Sequence, residues 1–143
     1  MNPSQACIDL VKSFESFRAE AYRDMVGVWT IGYGHTKDVQ PGDVITQHQA
    51  DIAIEFELGR FGDVVDKYVT AELNQNQFDA LCSFTYNLGE GNFKSSTLLK
   101  MINGGQFSAA ADQFKRWDMA GGKHVPGLLR RRMAERDLFV KPV

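Results

Sequence analysis

One segment limits the possible folds more than any other. Thr46-Gln47-His48-Gln49 places a hydroxyl at a helix-cap position and a glutamine three residues on, the pattern of a capping box. Apolar residues then recur at helical spacing, at Ile54, Leu58, Phe61, Val65 and Tyr68. The spacing predicts one helix over about 46–69, roughly six turns long. Gly59 and Gly62 lie inside it and are expected to weaken it by about 1 kcal/mol each relative to alanine. The residues before it are β-rich and those after it are helical. The long helix therefore reads as a spine that joins two lobes.

The flanking segments are punctuated clearly. Asn2-Pro3 reads as a helix start, a cap followed by proline at the first helical position. Cys7, Leu10, Val11 and Phe14 continue at helical spacing, predicting a first helix over 3–16 with Glu15 at its C-terminal end. Tyr22, Val26, Val28, Trp29, Thr30, Ile31 and Tyr33 are mostly β-formers, with glycines at 27, 32 and 34. They predict a small antiparallel hairpin or meander, in a β-rich lobe over about 18–45. Beyond the long helix, a helical lobe is expected over about 70–143. Asn74 caps a helix that ends near Gly89, and a short helix runs from Thr97 to Asn103, stopped by Gly104-Gly105. Ser108 reads as the cap of an alanine-rich helix holding Phe114 and Trp117. Gly121-Gly122 and Pro126-Gly127 mark a loop, and Leu128–Phe139 forms the last helix. The expected fold class is α+β, mainly α, in one domain of 143 residues.

Several function classes fall away on composition. No apolar run approaches the roughly 20 residues of a membrane helix. Asp9, Lys12 and Glu15 interrupt every N-terminal apolar stretch, so no secretory signal is read. Synthesis and folding in a cytoplasm are expected, with no stable membrane insertion. His35, His48 and His124 have no metal-ligand spacing, so no metal is expected. Arg130-Arg131-Arg132 lies on a short helix and points in several directions, so nucleic acid is not an expected partner. Cys7 and Cys82 sit on apolar helical faces and read as two reduced, buried thiols. Residues 1–71 carry 6 basic and 11 acidic side chains, and residues 72–143 carry 10 and 7, so the second half is mildly basic within a net charge of −2. Such a half suits an anionic polymer such as a bacterial wall.

Glu15 and Asp24 are the candidate chemical groups. Cleaving a glycosidic bond needs one protonated carboxyl and one ionised carboxylate in different environments. Glu15 ends a helix between Phe14 and Phe17, where desolvation and the negative end of the helix dipole favour the protonated form. Asp24 stands beside Arg23 and a turn, which favour the ionised form. Thr30 enters through strand parity. Side chains alternate along a strand, so Thr30 faces away from Trp29, Ile31 and Tyr33, the expected packed face. Asp24 shares the face of Thr30 only if the connecting loop has an odd length. Three residues ending in Gly27 satisfy this, and two do not.

Phe14-Glu15, Ala21-Tyr22-Arg23-Asp24 and Gly27-Val28-Trp29-Thr30-Ile31-Gly32-Tyr33-Gly34-His35-Thr36 closely resemble the signature of phage-type lysozymes, glycoside hydrolase family 24. The intervals of eight residues between Glu15 and Asp24 and five between Asp24 and Thr30 match that pattern. The resemblance continues through Pro41-Gly42-Asp43 with Ile45-Thr46, through Gln77–Leu81, Ser83-Phe84 and Asn87–Gly89, through Ser96–Leu99, and through Trp117, Gly121-Gly122, Gly127-Leu128 and Arg131-Arg132 with Glu135. It implies a lysozyme-like fold and a muramidase. The bond cleaved would be the β-1,4 linkage between N-acetylmuramic acid and N-acetylglucosamine in peptidoglycan. Glu15 would donate the proton. Asp24 and Thr30 would hold and activate water, with inversion at the anomeric carbon and no cofactor.

The resemblance also implies an endolysin, a monomer that acts on peptidoglycan glycan strands. It would wait in the host cytoplasm and reach the periplasm and wall through a holin-type lesion. An inactive wall-binding module and a secreted antibacterial effector are the rival classes. An arginine of the Arg130–Arg132 block, Arg130 or Arg131, is implied as support for Glu15. Trp117, Phe93 and Tyr33 are candidates for stacking on sugars, with core packing the stronger expectation for Trp117.

Overall fold

A computed structural model describes residues 1–143. Seven helices and two small antiparallel sheets follow in order: α1 (Gln5–Phe14), β1 (Arg18–Arg23), β2 (Trp29–Gly32), α2 (Gln47–Tyr68), α3 (Gln75–Leu88), α4 (Glu90–Ser95), α5 (Thr97–Asn103), α6 (Phe107–Ala111), β3 (Met119–Ala120), β4 (Lys123–His124) and α7 (Pro126–Val140). A 3-10 turn, Phe114–Arg116, precedes β3.

The long helix α2 forms with the expected capping box. Thr46 Oγ1 accepts from the Gln49 amide, and the Thr46 amide donates to Gln49 Oε1. Its buried stripe is Ala50, Ile54, Leu58, Gly62 and Val65, while Phe61 and Tyr68 are only half-buried. Gly62 is a packing position as well as a weak helix former. A Cβ there would meet Phe78 and Pro3 at 3.2 Å, whereas one at Gly59 would meet nothing.

The first helix is shorter than its spacing predicts. Ser4, not Asn2, is the cap residue, and Pro3 lies outside the helix. The reason is a tertiary contact. The amide and hydroxyl of Ser4 both donate to the Asp79 carboxylate, the amide at 3.0 Å, and they hold residue 4 extended against α3. At the other end Glu15 is the C-cap, with extended backbone.

Around α3 the core closes. Every residue from Phe78 to Thr85 is buried, and α3 packs on α1, α2, α4 and α7. The main apolar cluster draws on α1 to α7 and takes no residue from β1 or β2. The hairpin stands outside that cluster and can form one wall of a cleft. Cys7 and Cys82 are free and buried, and Cys7 donates to the Asp79 carbonyl at 3.4 Å.

Two expectations about the second half need correction, and one helix there went unread. Ser108 does not cap a long helix: α6 begins at Phe107 and ends at Ala111, and Trp117 lies beyond it. The chain bends there because Phe114 packs edge-on against Phe84 and tilted against Phe139, which a continuous helix would not permit. The short segment after Gly89 forms α4, whose Phe93 is fully buried. Residues 119–124 are a hairpin rather than an open loop. Gly121 and Gly122 adopt φ +57° and +75°, the left-handed pair that a tight two-residue turn requires.

Candidate active site

The β1–β2 hairpin sets the first half of the site. Tyr22 opposes Thr30 and Arg23 opposes Trp29. The Asp24 amide donates to the Val28 carbonyl at 2.9 Å, and the Gly27 amide donates to the Asp24 carbonyl at 3.0 Å. The loop is therefore Met25-Val26-Gly27, three residues, with Gly27 at φ +86°. That odd length puts Asp24 and Thr30 on one face. Within the loop, Asp24 Oδ1 accepts from the amides of Val26 and Val28 at 3.0 and 2.8 Å. Its other oxygen has no protein partner. Thr30 is almost fully buried, and its hydroxyl donates to the Val28 carbonyl at 3.0 Å. On the opposite face Ile31 is buried, but Trp29 is only half-buried, with the Arg23 guanidinium 5.4 Å from its ring. The packed face expected for Trp29 is thus only partly closed.

Glu15 comes from the other side. Its Oε1 accepts from Arg131 Nη1 at 2.9 Å. Arg131 is itself buried and held from behind: its Nε donates to Glu135 at 3.3 Å, and Ser83 donates to the same carboxylate at 2.6 Å. Arg132 closes the network, 2.8 Å from Glu135 and bonded to Asn87 at 2.9 Å. Two guanidinium groups thus balance two carboxylates. Burial pushes the Glu135 carboxyl up, and Arg132 and Arg131 oppose it. Of the two arginines singled out from the sequence, Arg131 touches Glu15; Arg130 is exposed.

A glycine turn covers Glu15. Ile31 and His35 exchange backbone hydrogen bonds, which folds residues 32–34 into a tight turn. Gly34 has φ +85°, and a Cβ there would sit 2.9 Å from Glu15 Oε2. Glycine at 34 is needed both for the backbone and for the approach. Tyr86 ties this turn to α3 by donating to the Tyr33 carbonyl at 2.8 Å. Burial, and next the charge of Glu15, push the Tyr86 phenol up, so it stays a neutral donor.

Glu15, Asp24 and Thr30 line one open cleft of about 590 Å³, together with Tyr22, Phe61 and Tyr86. A second cavity of about 570 Å³ shares Glu15 and Asn87 with it and runs on toward Arg130. Glu15 therefore stands where the two cavities adjoin. The aromatics of the cleft are not those considered from the sequence. Phe93 is core, Trp117 packs edge-on against Phe84, and Tyr33 faces Phe17 and accepts from Gln47 through its hydroxyl. Phe61 gave only a helix-stripe signal, and Tyr86 stood beside a matched block without marking itself. No group of three or more histidine, cysteine or acidic side chains is arranged to hold a metal.

The family model for phage lysozyme matches residues 12–135. The endolysin of Bacillus phage B103 is 47% identical over 143 residues, covering 98% of this chain. This chain spans only 54% of that longer protein. The endolysin of Acyrthosiphon pisum secondary endosymbiont phage 1 is 41% identical, with 97% of this chain and 98% of that protein covered. Among solved structures, the muramidase domain of SpmX from Asticaccaulis excentricus superposes with a TM-score of 0.91 at 38% identity, covering 97% of each chain.

Proposed function

The chain belongs to the phage lysozyme family, and we propose that it is an endolysin-type muramidase. It hydrolyses the β-1,4 bond between N-acetylmuramic acid and N-acetylglucosamine in peptidoglycan and so breaks the bacterial wall. The observation that carries this reading is the convergence of Glu15, Asp24 and Thr30 on one open cleft.

Each residue has a chemical part. Glu15 donates a proton to the leaving glycosidic oxygen as that bond breaks. Arg131 holds one of its oxygens, which leaves Oε2 facing the turn at Gly34. Asp24 has one oxygen spent on its own loop and one unpartnered. Thr30 has spent its proton on Val28 and offers lone pairs. A water that donates to Asp24 and to Thr30 keeps a lone pair for the anomeric carbon. Asp24 takes the proton that this water loses. Attack from the face opposite the leaving group inverts the anomeric centre. No step calls for a cofactor.

No helix of the chain is long and apolar enough to cross a membrane. Our reading is that a monomer waits in the host cytoplasm and reaches the wall through a holin-type lesion. Turbidity loss on permeabilised Gram-negative cells tests the function. Glu15→Gln is expected to slow clearing by roughly 10²–10⁴-fold. Equal rates for the two proteins would sink the reading. A 1,6-anhydro product in place of an inverted reducing end would make the enzyme a transglycosylase.

A further inference from the structure

The cleft does not end at Asp24. Past the hairpin it opens into a side cavity of about 380 Å³ on the outer face of α2, and the two share His35, Lys37, Glu57 and Arg60. Two features of this end have no part in the chemistry above. The first is charge. Lys37 comes from the segment after β2 and Arg60 from α2, so the cations stand on different walls. Lys37 is exposed and makes no ion pair or side-chain hydrogen bond. Arg60 is 60% exposed, and only its Nη1 is used, at 3.3 Å from Glu57. Its remaining guanidinium donors are free for a planar acceptor. The second is apolar surface. Ile52 and Phe56 lie four residues apart on α2, 55% and 67% exposed, and both line the side cavity.

We propose that Lys37 and Arg60 form a carboxylate-binding subsite for the acidic substituent on the muramyl residues of the glycan, with Ile52 and Phe56 receiving its methyl groups. This rests on the muramidase reading and adds which part of the substrate the enzyme selects. A bare polysaccharide of N-acetylglucosamine carries no anion for the two cations lining this end of the cleft to hold. A muramyl residue does: a lactyl carboxylate when unsubstituted, or the carboxylates of an alanine-containing peptide when substituted. Both sources join a carboxylate to small apolar groups, the combination this cavity presents. Continuity with the cleft places such a substituent beside a chain running through it. Glu57 accepts from Arg60 Nη1 through both carboxylate oxygens, at 3.3 and 3.4 Å, and leaves Nη2 and Nε of Arg60 without a partner.

Binding to the Glu15→Gln protein tests this without turnover. The probes are a soluble peptide-bearing glycan fragment, the same fragment with its carboxylates converted to amides, and a peptide-stripped fragment with free lactyl carboxylates. The native Lys37 and Arg60 are expected to bind the first about tenfold more tightly than the second at low salt. In Lys37→Met/Arg60→Met the two should bind alike. Tight binding of the stripped fragment assigns the subsite to the lactyl group, and weak binding assigns it to the peptide. Discrimination that persists in the double variant, or that is absent from the protein with both cations intact, overturns the proposal. If Glu15→Gln clears cells as fast as the native protein yet discrimination is seen, the muramidase reading falls and the subsite stands. Slow clearing by Glu15→Gln without discrimination gives the reverse.

Discussion

Arg131 Nη1 lies 2.9 Å from Glu15 Oε1, joining residues 116 positions apart. The contact is made from inside the protein, because Arg131 is 3% exposed and Glu135 and Ser83 occupy its other donors. Arg131 is thus a positioning residue for the proposed proton donor. Arg131→Met leaves Glu135 with one cation fewer, and breaking a buried pair this way costs about 3–5 kcal/mol. Arg131→Lys keeps the charge but loses the fork that reaches two carboxylates. We expect Lys to recover most of the stability lost in Met, measured by chemical denaturation, while kcat on wall fragments stays depressed with KM little changed. Full activity in the Lys variant would show that Arg131 matters to the fold alone.

Gly34→Ala separates activity from stability. A Cβ at 2.9 Å from Glu15 Oε2 meets the end of a movable side chain, so Glu15 gives way and the protein still folds. The left-handed φ costs about 1–2 kcal/mol. Displacing an acid by ~1 Å costs about 10²-fold in rate. Activity is expected to fall by that order while the melting transition shifts by only a few degrees. A variant with unchanged turnover would mean that the position of Glu15 is not critical.

At Gly27 only the backbone matters, since nothing lies within 4 Å of an added Cβ. Asparagine tolerates φ near +86° far better than a β-branched residue does. Gly27→Asn is therefore expected to keep most activity. Gly27→Val should lose about 1–2 kcal/mol of hairpin stability and with it the shared face of Asp24 and Thr30. Lytic rates of the two variants beside their hairpin amide exchange decide this. Equal rates would remove the role assigned to the three-residue loop.

The two glycines of α2 should respond differently to alanine. Gly59→Ala adds a side chain in open space and is expected to stabilise by up to about 1 kcal/mol. At Gly62 the same gain is opposed by contact with Phe78 and Pro3 at 3.2 Å, so stability should fall or stay flat. Urea midpoints compare the two. A larger gain at 62 than at 59 would contradict the packing described.

Local signals wrote much of this protein plainly. The capping boxes at Thr46 and Asn74, the stops at Gly89 and Gly104, and the β-forming run around Trp29 each depend on residues within a few positions of one another. Such interactions need no distant partner, so spacing alone reveals them wherever no tertiary contact overrides them. The hairpin loop is legible only in part. Glycine at 27 allows a three-residue turn and strand parity gives its consequence, but the hydrogen bond from Asp24 to Val28 is what fixes the length and brings Asp24 and Thr30 together.

What failed to be legible depends on distant partners. The first helix begins at Gln5 because Ser4 is bound to Asp79, 75 residues away. Trp117 leaves its expected helix because Phe114 packs against Phe84 and Phe139. Tyr86 and Phe61 become cleft walls only when α3 packs on α2 and brings their rings to 5.6 Å. The sequence by itself determined the long helix, the hairpin strands and the residues with suitable chemistry, and left the loop length open. Tertiary structure alone decided that Arg131 rather than Arg130 meets Glu15, and that Lys37 and Arg60 line the same end of the cleft. Helical phase shows which residues share one face of one element. Which faces meet depends on how the buried core packs, and that is a property of the whole chain.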